Sequence, residues 1–204
     1  GVDGGGTANV PVTATGPGGT RTRYTASDGC AVFMFSSGGT YTLSVDRFGY
    51  VNSEGIRDVS KTAALELGRI KVLPLSYERS SSMRVGFTTA PGHVLPNPLP
   101  GLTLFNSGLA APGVLQADPG QSAPVTVWRL WPFTDGYSVW ASTCNQGDPA
   151  QNSLGYPRPT AVAVAAGEQS SAAVHLRPVE VRAVAGLAGP PAADSWPLLS
   201  HCLQ

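Results

Sequence analysis

The fold is decided by residues 25–50, TASDGCAVFMFSSGGTYTLSVDRFGY, which contain a turn, an apolar run, a second turn and an alternating run. In the alternating run, Tyr41, Leu43 and Val45 fall on one side, and polar residues fall on the other. This period of two predicts a β-strand, because a helix would space its apolar residues by three and four. The continuous apolar run CAVFMF predicts a strand that is covered on both sides or that crosses a sheet edge.

The flanking segments extend the same β-pattern. ANVPVTATG, the turn GPGGT and the return run RTRYTA predict a hairpin. KTAALELG is compatible with a short helical turn or with another strand. RIKVLPLSY predicts a closing strand, which Pro74 confines to an edge or a bulge because proline has no N–H to donate.

Composition favours turn-rich β-structure in two domains. The 204 residues are 42% hydrophobic and include 25 Gly and 18 Pro, whereas charged residues make up only 13%, about half the share usual in soluble proteins. The net charge is zero and the charges are scattered, so we expect neither nucleic acid nor an anionic membrane as a partner. No apolar stretch approaches the roughly 20 residues of a membrane span. We expect any signal or anchor to have been removed or to lie outside this chain, and we expect an extracellular or cell-surface location.

The second half predicts another β-domain after the polar hinge ERSSS. Apolar or alternating runs separated by Gly/Pro-rich loops indicate a second sandwich or a small barrel. The runs are MRVGFTT, GLTLFNSG, APVTVWRLWPF, GYSVWAST, PTAVAVAAG and SSAAVHLRPVEV. We predict domains at 1–80 and 81–178, followed by a C-terminal strand and tail at 179–204 that resembles the start of a third module.

The first half resembles the carboxypeptidase regulatory-like modules, relatives of the transthyretin and collagen-adhesin B-type sandwiches. The resemblance covers about residues 1–76 and rests on VPVTATG, on the T-x-x-D-G turn with Asp28 and Gly29, and on GGTYTLSVDRFGYV. It implies an all-β fold of tandem Ig-like or prealbumin-like sandwiches, and a role as a spacer, adhesion unit or pilus part. The first strand has no Lys, so the Lys–Asn isopeptide bond of some collagen-adhesin domains is not carried over.

A second resemblance concerns VWRLWPFTDGYSVWASTCNQGDP, which is similar to the β-rich soluble region of minor-pilin or pseudopilin-like extracellular proteins. It rests on a hairpin followed by a small residue, Cys and Asp-Pro. The matching residues are Pro132, Phe133, Tyr137, Val139, Cys144, Asp148 and Pro149.

The three cysteines leave one thiol over if two of them pair. Cys144 and Cys202 are the candidate disulfide, which would fasten the C-terminal tail and stabilise by about 2–4 kcal/mol. Cys30 opens the run CAVFMF and is interpreted as a small buried hydrophobe. The alternative pairing of Cys30 with Cys144 stays open.

No motif for catalysis or for a cofactor stands out. His93, His175 and His201 are not at metal-ligand spacing, and "GHV" and "VHL" indicate a loop His and a strand His. There is no G-x-S-x-G nucleophile elbow, and Asp135 and Asp148 lie in ordinary turn sequences. We therefore predict a non-enzyme with no catalytic residue, no metal site and no cofactor.

A glycan-binding alternative rests on an aromatic cluster, because exposed aromatic rings can stack on sugars. Its members are Trp128, Trp131, Phe133, Tyr137 and Trp140. Strand alternation favours core packing for some of these rings. The favoured function is thus a non-enzymatic extracellular structural protein, a pilus-type or surface-fibre subunit or adhesion module, with other copies or other fibre subunits as partners. The alternative is a carbohydrate-binding module that takes a surface glycan on the aromatic cluster.

Overall fold

The computed structural model describes residues 5–110, 114–117, 123–141 and 158–176. These ranges contain strands and no helix, which confirms the predicted all-β class. The strands are β1 (Pro11–Gly16), β2 (Gly19–Tyr24), β3 (Gly39–Val45), β4 (Tyr50–Val51), β5 (Val59–Leu65), β6 (Glu78–Arg79), β7 (Ser81–Thr89), β8 (Leu102–Phe105), β9 (Val114–Ala117), β10 (Val125–Leu130), β11 (Ser138–Ala141) and β12 (Gln169–Leu176).

The described residues fall into two compact units. One unit combines the chain up to Met83 with Val127–Gly136 and Ala163–Ser170, and the other combines Arg84–Thr126, Tyr137–Val162 and the described residues from Ser171. The tandem arrangement of sandwiches with boundaries near 80 and 178 stays a prediction.

The first unit is built on a four-stranded antiparallel sheet with the order β2-β1-β3-β5. The predicted hairpin is confirmed: β1 and β2 pair from Pro11 opposite Tyr24 to Gly16 opposite Gly19, around a two-residue turn. The alternating run is also confirmed as a strand, since β3 buries Tyr41 and Val45. KTAALELG, which was open between helix and strand, contributes β5.

The core of this unit lies on one side of that sheet. Its buried centre consists of Val10, Val12, Val45 and Tyr77. Partly buried residues from outside the sheet, Ala31, Phe33 and Leu75 among them, pack against this centre. Burial of these apolar side chains is the main force that holds the residues from outside the sheet against the four-stranded sheet.

Two predicted strands of the first unit are not regular strands. Residues 30–35 (CAVFMF) and 69–77 (RIKVLPLSY) lie in no sheet ladder. Residues 30–35 also alternate between partly buried and exposed side chains rather than being covered on both sides. We call these two segments the second layer, because they cover the core side of the four-stranded sheet. Only at Glu78–Arg79 does the chain pair again, as β6 with β4.

The second unit contains an antiparallel sheet with the order β11-β8-β9. Leu102 and Leu104 of β8 are fully buried, as are Trp140 and Ala141 of β11. A further three-stranded sheet, with the order β10-β7-β12, does not belong to this unit alone, because each of its strands is divided between the two units.

Two predictions in this half of the chain were wrong. VLQA lies between the predicted runs GLTLFNSG and APVTVWRLWPF, where a Gly/Pro-rich loop is predicted. It forms β9 instead, because β8 supplies a pairing partner from Leu102 opposite Ala117 to Phe105 opposite Val114. PTAVAVAAG was expected as a strand, yet it makes only one bridge, between Val162 and Tyr137.

Candidate interaction surfaces

The turn between β2 and the second layer is held by the side chain of Asp28. The Asp28 carboxylate accepts the backbone N–H of Cys30 at 2.9 Å, and Gly29 has φ of +76°, a left-handed conformation that favours glycine. The N–H of Gly29 donates to Ala26 O at 2.9 Å. In this structure both residues therefore act as turn formers.

Edge strand β2 carries cations that point toward the core side of the sheet. Arg21 lies opposite buried Ala14, so its side chain is on the core side. Its Nη1 donates to Met34 O at 2.7 Å, and its guanidinium lies 5.3 Å from the centre of the Phe35 ring. Inward-pointing charges on an edge strand discourage another strand from pairing there.

The opposite edge strand, β5, uses the same device. Lys61 lies opposite Leu43, which packs on the core. The Lys61 Nζ donates to Pro74 O at 2.6 Å. Both edges of the four-stranded sheet thus send a cation to a carbonyl of the second layer, and both are protected against indiscriminate strand addition.

The outer side of the second layer is apolar and exposed. Val32 and Met34 project from residues 30–35, and Ile70 and Val72 project from residues 69–77. These four side chains are 69–93% exposed. Exposed apolar side chains mark an interaction site when they form a contiguous patch, and alternation along each segment puts Val32 beside Met34 and Ile70 beside Val72 on the outer side.

The side of the four-stranded sheet away from the core forms a different surface, which we call the hydroxyl face. Strand register aligns its Ser and Thr side chains in two ranks that each cross all four strands. The first rank is Thr20, Thr15, Thr42 and Thr62, and the second is Thr22, Thr13, Ser44 and Ser60. Cross-strand hydroxyl contacts join Thr13 to Thr22 at 2.9 Å and Thr42 to Thr62 at 3.1 Å.

Tyr77 organises the polar contacts on the core side of the first unit. Its hydroxyl accepts the N–H of Arg47 at 2.8 Å and donates to Arg57 O at 2.8 Å. Burial raises the pKa of Tyr77 above its ordinary value of 10.0, and the carboxylates of Asp46 and Asp58 act in the same direction. The hydrogen bond from Arg47 and the charge of Arg57 lower it. Tyr77 is therefore a neutral structural anchor.

The aromatic cluster divides sharply in exposure. Trp131, Tyr137 and Trp140 are buried, whereas Trp128 is 67% exposed. Phe133 packs edge-on against Trp131, with 6.5 Å between ring centres. Stacking on a sugar requires an exposed ring face, which the three buried residues lack.

The cysteine prediction was wrong for Cys30, which is a free and exposed thiol. The physical reason is its position directly after the Asp28 turn, where the chain has not yet reached the core. The alternative pairing of Cys30 with Cys144 stays a prediction, because Cys144 lies outside the described residues. The candidate disulfide of Cys144 with Cys202 lies outside the described residues.

The remaining candidate residues do not gather into one place. His93 lies in a loop and His175 in β12, as expected, and His201 lies outside the described ranges, as does Asp148. Among the described residues, no three His, Cys, Asp or Glu side chains lie close enough to hold a metal ion. In the same part of the chain, no helix has the length and apolar composition needed to cross a bilayer.

The chain has no match among family models or curated proteins and only distant likenesses among solved structures. No family model matches the chain, and no curated protein matches it at a significant level. The Bacillus anthracis TIE protein aligns at 13% identity over 85% of this chain and 31% of its own, with a TM-score of 0.36. A minor pilin of the Gram-positive pathogen Streptococcus agalactiae aligns at 12% identity over 89% of this chain and 88% of its own, also with a TM-score of 0.36. The chain thus spans under a third of the TIE structure, and at this score neither likeness carries an argument.

Proposed function

We propose that this chain is a non-enzymatic extracellular structural protein: a pilus-type or surface-fibre subunit, or an adhesion module, that assembles with other copies or with other fibre subunits. The observation that carries the proposal is the second layer. Its two extended segments lie in no sheet ladder and turn apolar side chains, such as Met34 and Val72, to solvent.

Extended segments of this kind are suited to pairing with a strand from a neighbouring subunit. Main-chain hydrogen bonds to an added strand would supply affinity, and the alternating outward side chains would supply specificity. Burial of Val32, Met34, Ile70 and Val72 would add about 1.5–3 kcal/mol for each side chain that becomes fully covered.

The protected edges of the four-stranded sheet support the same proposal. Arg21 on β2 and Lys61 on β5 make strand addition at those edges unfavourable. A subunit with two guarded edges and one open layer would assemble in a defined direction rather than aggregate.

The experiment compares two matched substitutions by sedimentation velocity and by electron microscopy of the full chain. Val72→Asp places a charge on the second layer, and Val94→Asp makes the same change at a residue that is 92% exposed in a loop. We expect the natural chain and Val94→Asp to assemble and Val72→Asp to stay monomeric. A monomeric natural chain at high concentration, or equal assembly of both variants, would contradict the proposal.

We further infer that residues 1–80 form a carboxypeptidase regulatory-like module. The Asp28 turn and the order of β1 to β3 support this inference. Limited proteolysis of the full chain tests this inference, and we expect a stable fragment that ends near residue 80. If the protease cuts within β1 to β5 earlier than it cuts near residue 80, the inference is contradicted.

A further inference from the structure

The hydroxyl face is unusual because it carries no charge. Within β1, β2, β3 and β5, the residues on this side are Pro11, Thr13, Thr15, Thr20, Thr22, Tyr24, Thr40, Thr42, Ser44, Ser60, Thr62 and Ala64. The eight members of the two ranks are all exposed or half-buried. The cations of the same strands, including Arg21 and Lys61, lie on the core side instead.

We propose that the hydroxyl face binds a neutral polysaccharide chain. The proposal names what an adhesion module would adhere to, and in that respect it rests on the proposed function. Each Ser or Thr hydroxyl can donate one hydrogen bond and accept others, which matches the mixed donors and acceptors of sugar hydroxyls. Cross-strand contacts such as Thr13 with Thr22 use only part of this capacity.

A second feature of the same face points to sugar. Tyr24 ends β2 on this side and is 68% exposed. Because residues two apart on a strand share a face, Tyr24 follows Thr22 on this side, with about 7 Å along β2 between their Cα atoms. An exposed tyrosine offers a broad apolar face with a polar tip, on which the C–H side of a sugar ring can stack while its hydroxyl groups meet the neighbouring rank.

The lack of charge argues against an anionic polymer as the partner. An anionic polymer such as a nucleic acid or a sulfated glycan would need cations to neutralise it, and Arg21 and Lys61 are turned away to the core side of the sheet. Uncharged hydroxyls meet an uncharged, hydroxylated partner without the desolvation cost of a buried charge.

The shape of the sheet favours a flexible chain over a rigid crystal surface. Three strand spacings make each rank about 14 Å long, and the ordinary twist between strands turns a four-stranded sheet by about 60–75° across its width. A polysaccharide chain can follow such a twist, whereas a planar lattice loses contact at the edges. Binding on one open face is weak by itself, and many copies along a fibre would strengthen it by avidity.

The test measures retardation of the full chain in native gels that contain dextran, hydroxyethyl cellulose or mannan, with heparin as the charged comparison. Thr42→Lys places a cation at the centre of the face, and Tyr24→Ala removes the ring. Thr134→Lys is the matched control, because Thr134 is an exposed turn residue that belongs to none of the four strands. If Thr42→Lys fails to fold, Thr20→Lys on the exposed strand β2 replaces it.

We expect at least one neutral polysaccharide to retard the natural chain and Thr134→Lys equally, and the affinity of Thr42→Lys and Tyr24→Ala to fall about tenfold or more. The inference is overturned if no neutral polysaccharide retards the chain, if only heparin does, or if Thr42→Lys binds as well as the natural chain. Assembly is measured separately, by sedimentation. A chain that assembles into fibres but binds no polysaccharide would contradict this inference without contradicting the proposed function. A chain that binds polysaccharide but stays monomeric would support this inference and contradict the proposal that the chain is a fibre subunit.

Discussion

Removal of the Tyr77 hydroxyl gives a quantitative test of how the first unit is held together. Tyr77 is only 5% exposed, and its hydroxyl bridges two backbone groups, the N–H of Arg47 and the carbonyl of Arg57, each at 2.8 Å. A net hydrogen bond contributes about 0.5–1.5 kcal/mol. Tyr77→Phe should therefore lower the free energy of unfolding by about 1–3 kcal/mol.

Tyr50→Phe is the matched control. The Tyr50 ring stacks on Tyr77 with 5.8 Å between centres, and the Arg47 guanidinium lies 4.4 Å from it. Among the described residues its hydroxyl has no hydrogen-bond partner, so this change should cost less than about 0.5 kcal/mol. Urea unfolding, followed by circular dichroism, measures both variants.

The same residue predicts a dependence of stability on pH. Because burial raises the pKa of Tyr77 above 10.0 in the folded chain, the unfolded chain loses this proton first as the pH rises. The contribution of neutral Tyr77 is complete below pH 10 and is lost as the pH rises through the folded pKa. The difference in unfolding free energy between the natural chain and Tyr77→Phe should thus shrink above about pH 10. The reasoning is refuted if Tyr77→Phe costs no more than Tyr50→Phe at neutral pH, or if the difference grows in alkali.

Three further outcomes test the local structure. Gly29→Ala should cost about 2 kcal/mol or more, measured by thermal unfolding, because φ is +76° and an added Cβ would overlap neighbouring backbone; a neutral result would mean that the turn differs. Cys30 should react with a thiol reagent in the native chain, as seen by mass spectrometry of its peptide, and protection until denaturation would contradict its exposure. In the monomeric Val72→Asp chain, adding Arg21→Val, Arg23→Val and Lys61→Val should cause aggregation visible by light scattering, because both sheet edges then lose their inward cations; a chain that stays monomeric would show that the edges need no such protection.

Strand existence was predictable where one side of a strand is buried and the other is solvated. Tyr41 and Val45 are buried in β3, and the polar residues between them are not, so a period of two was visible in the chain itself. The hairpin of β1 and β2 was equally clear because its turn is local.

Prediction failed where the environment of a segment comes from distant parts of the chain. CAVFMF is apolar throughout, but Val32 and Met34 face solvent. The local sequence does not distinguish an apolar residue that is buried from one that is exposed. The strand at Val114–Ala117 was missed because its Gly/Pro-rich flanks indicate a loop. It is a strand because it pairs with β8, a separate segment of the chain, and its own sequence does not show that pairing.

The hydroxyl face shows the same limit from the other side. Its T-x-T pairs were present in the sequence at Thr13, Thr20 and Thr40, yet their meaning depends on register. A slip of one residue would have turned every one of these side chains to the core.

The amino-acid sequence alone carries the β-class, the turns at Asp28 and at the first hairpin, and the alternation within each strand, because these depend on neighbours a few residues away. Tertiary structure decided which strands lie at the edges of the sheet and which carbonyl groups Arg21 and Lys61 bind. It also decided which hydroxyl groups align across the four strands. Those features depend on the register between strands far apart in the chain, and the period of a single strand carries no information about its partner.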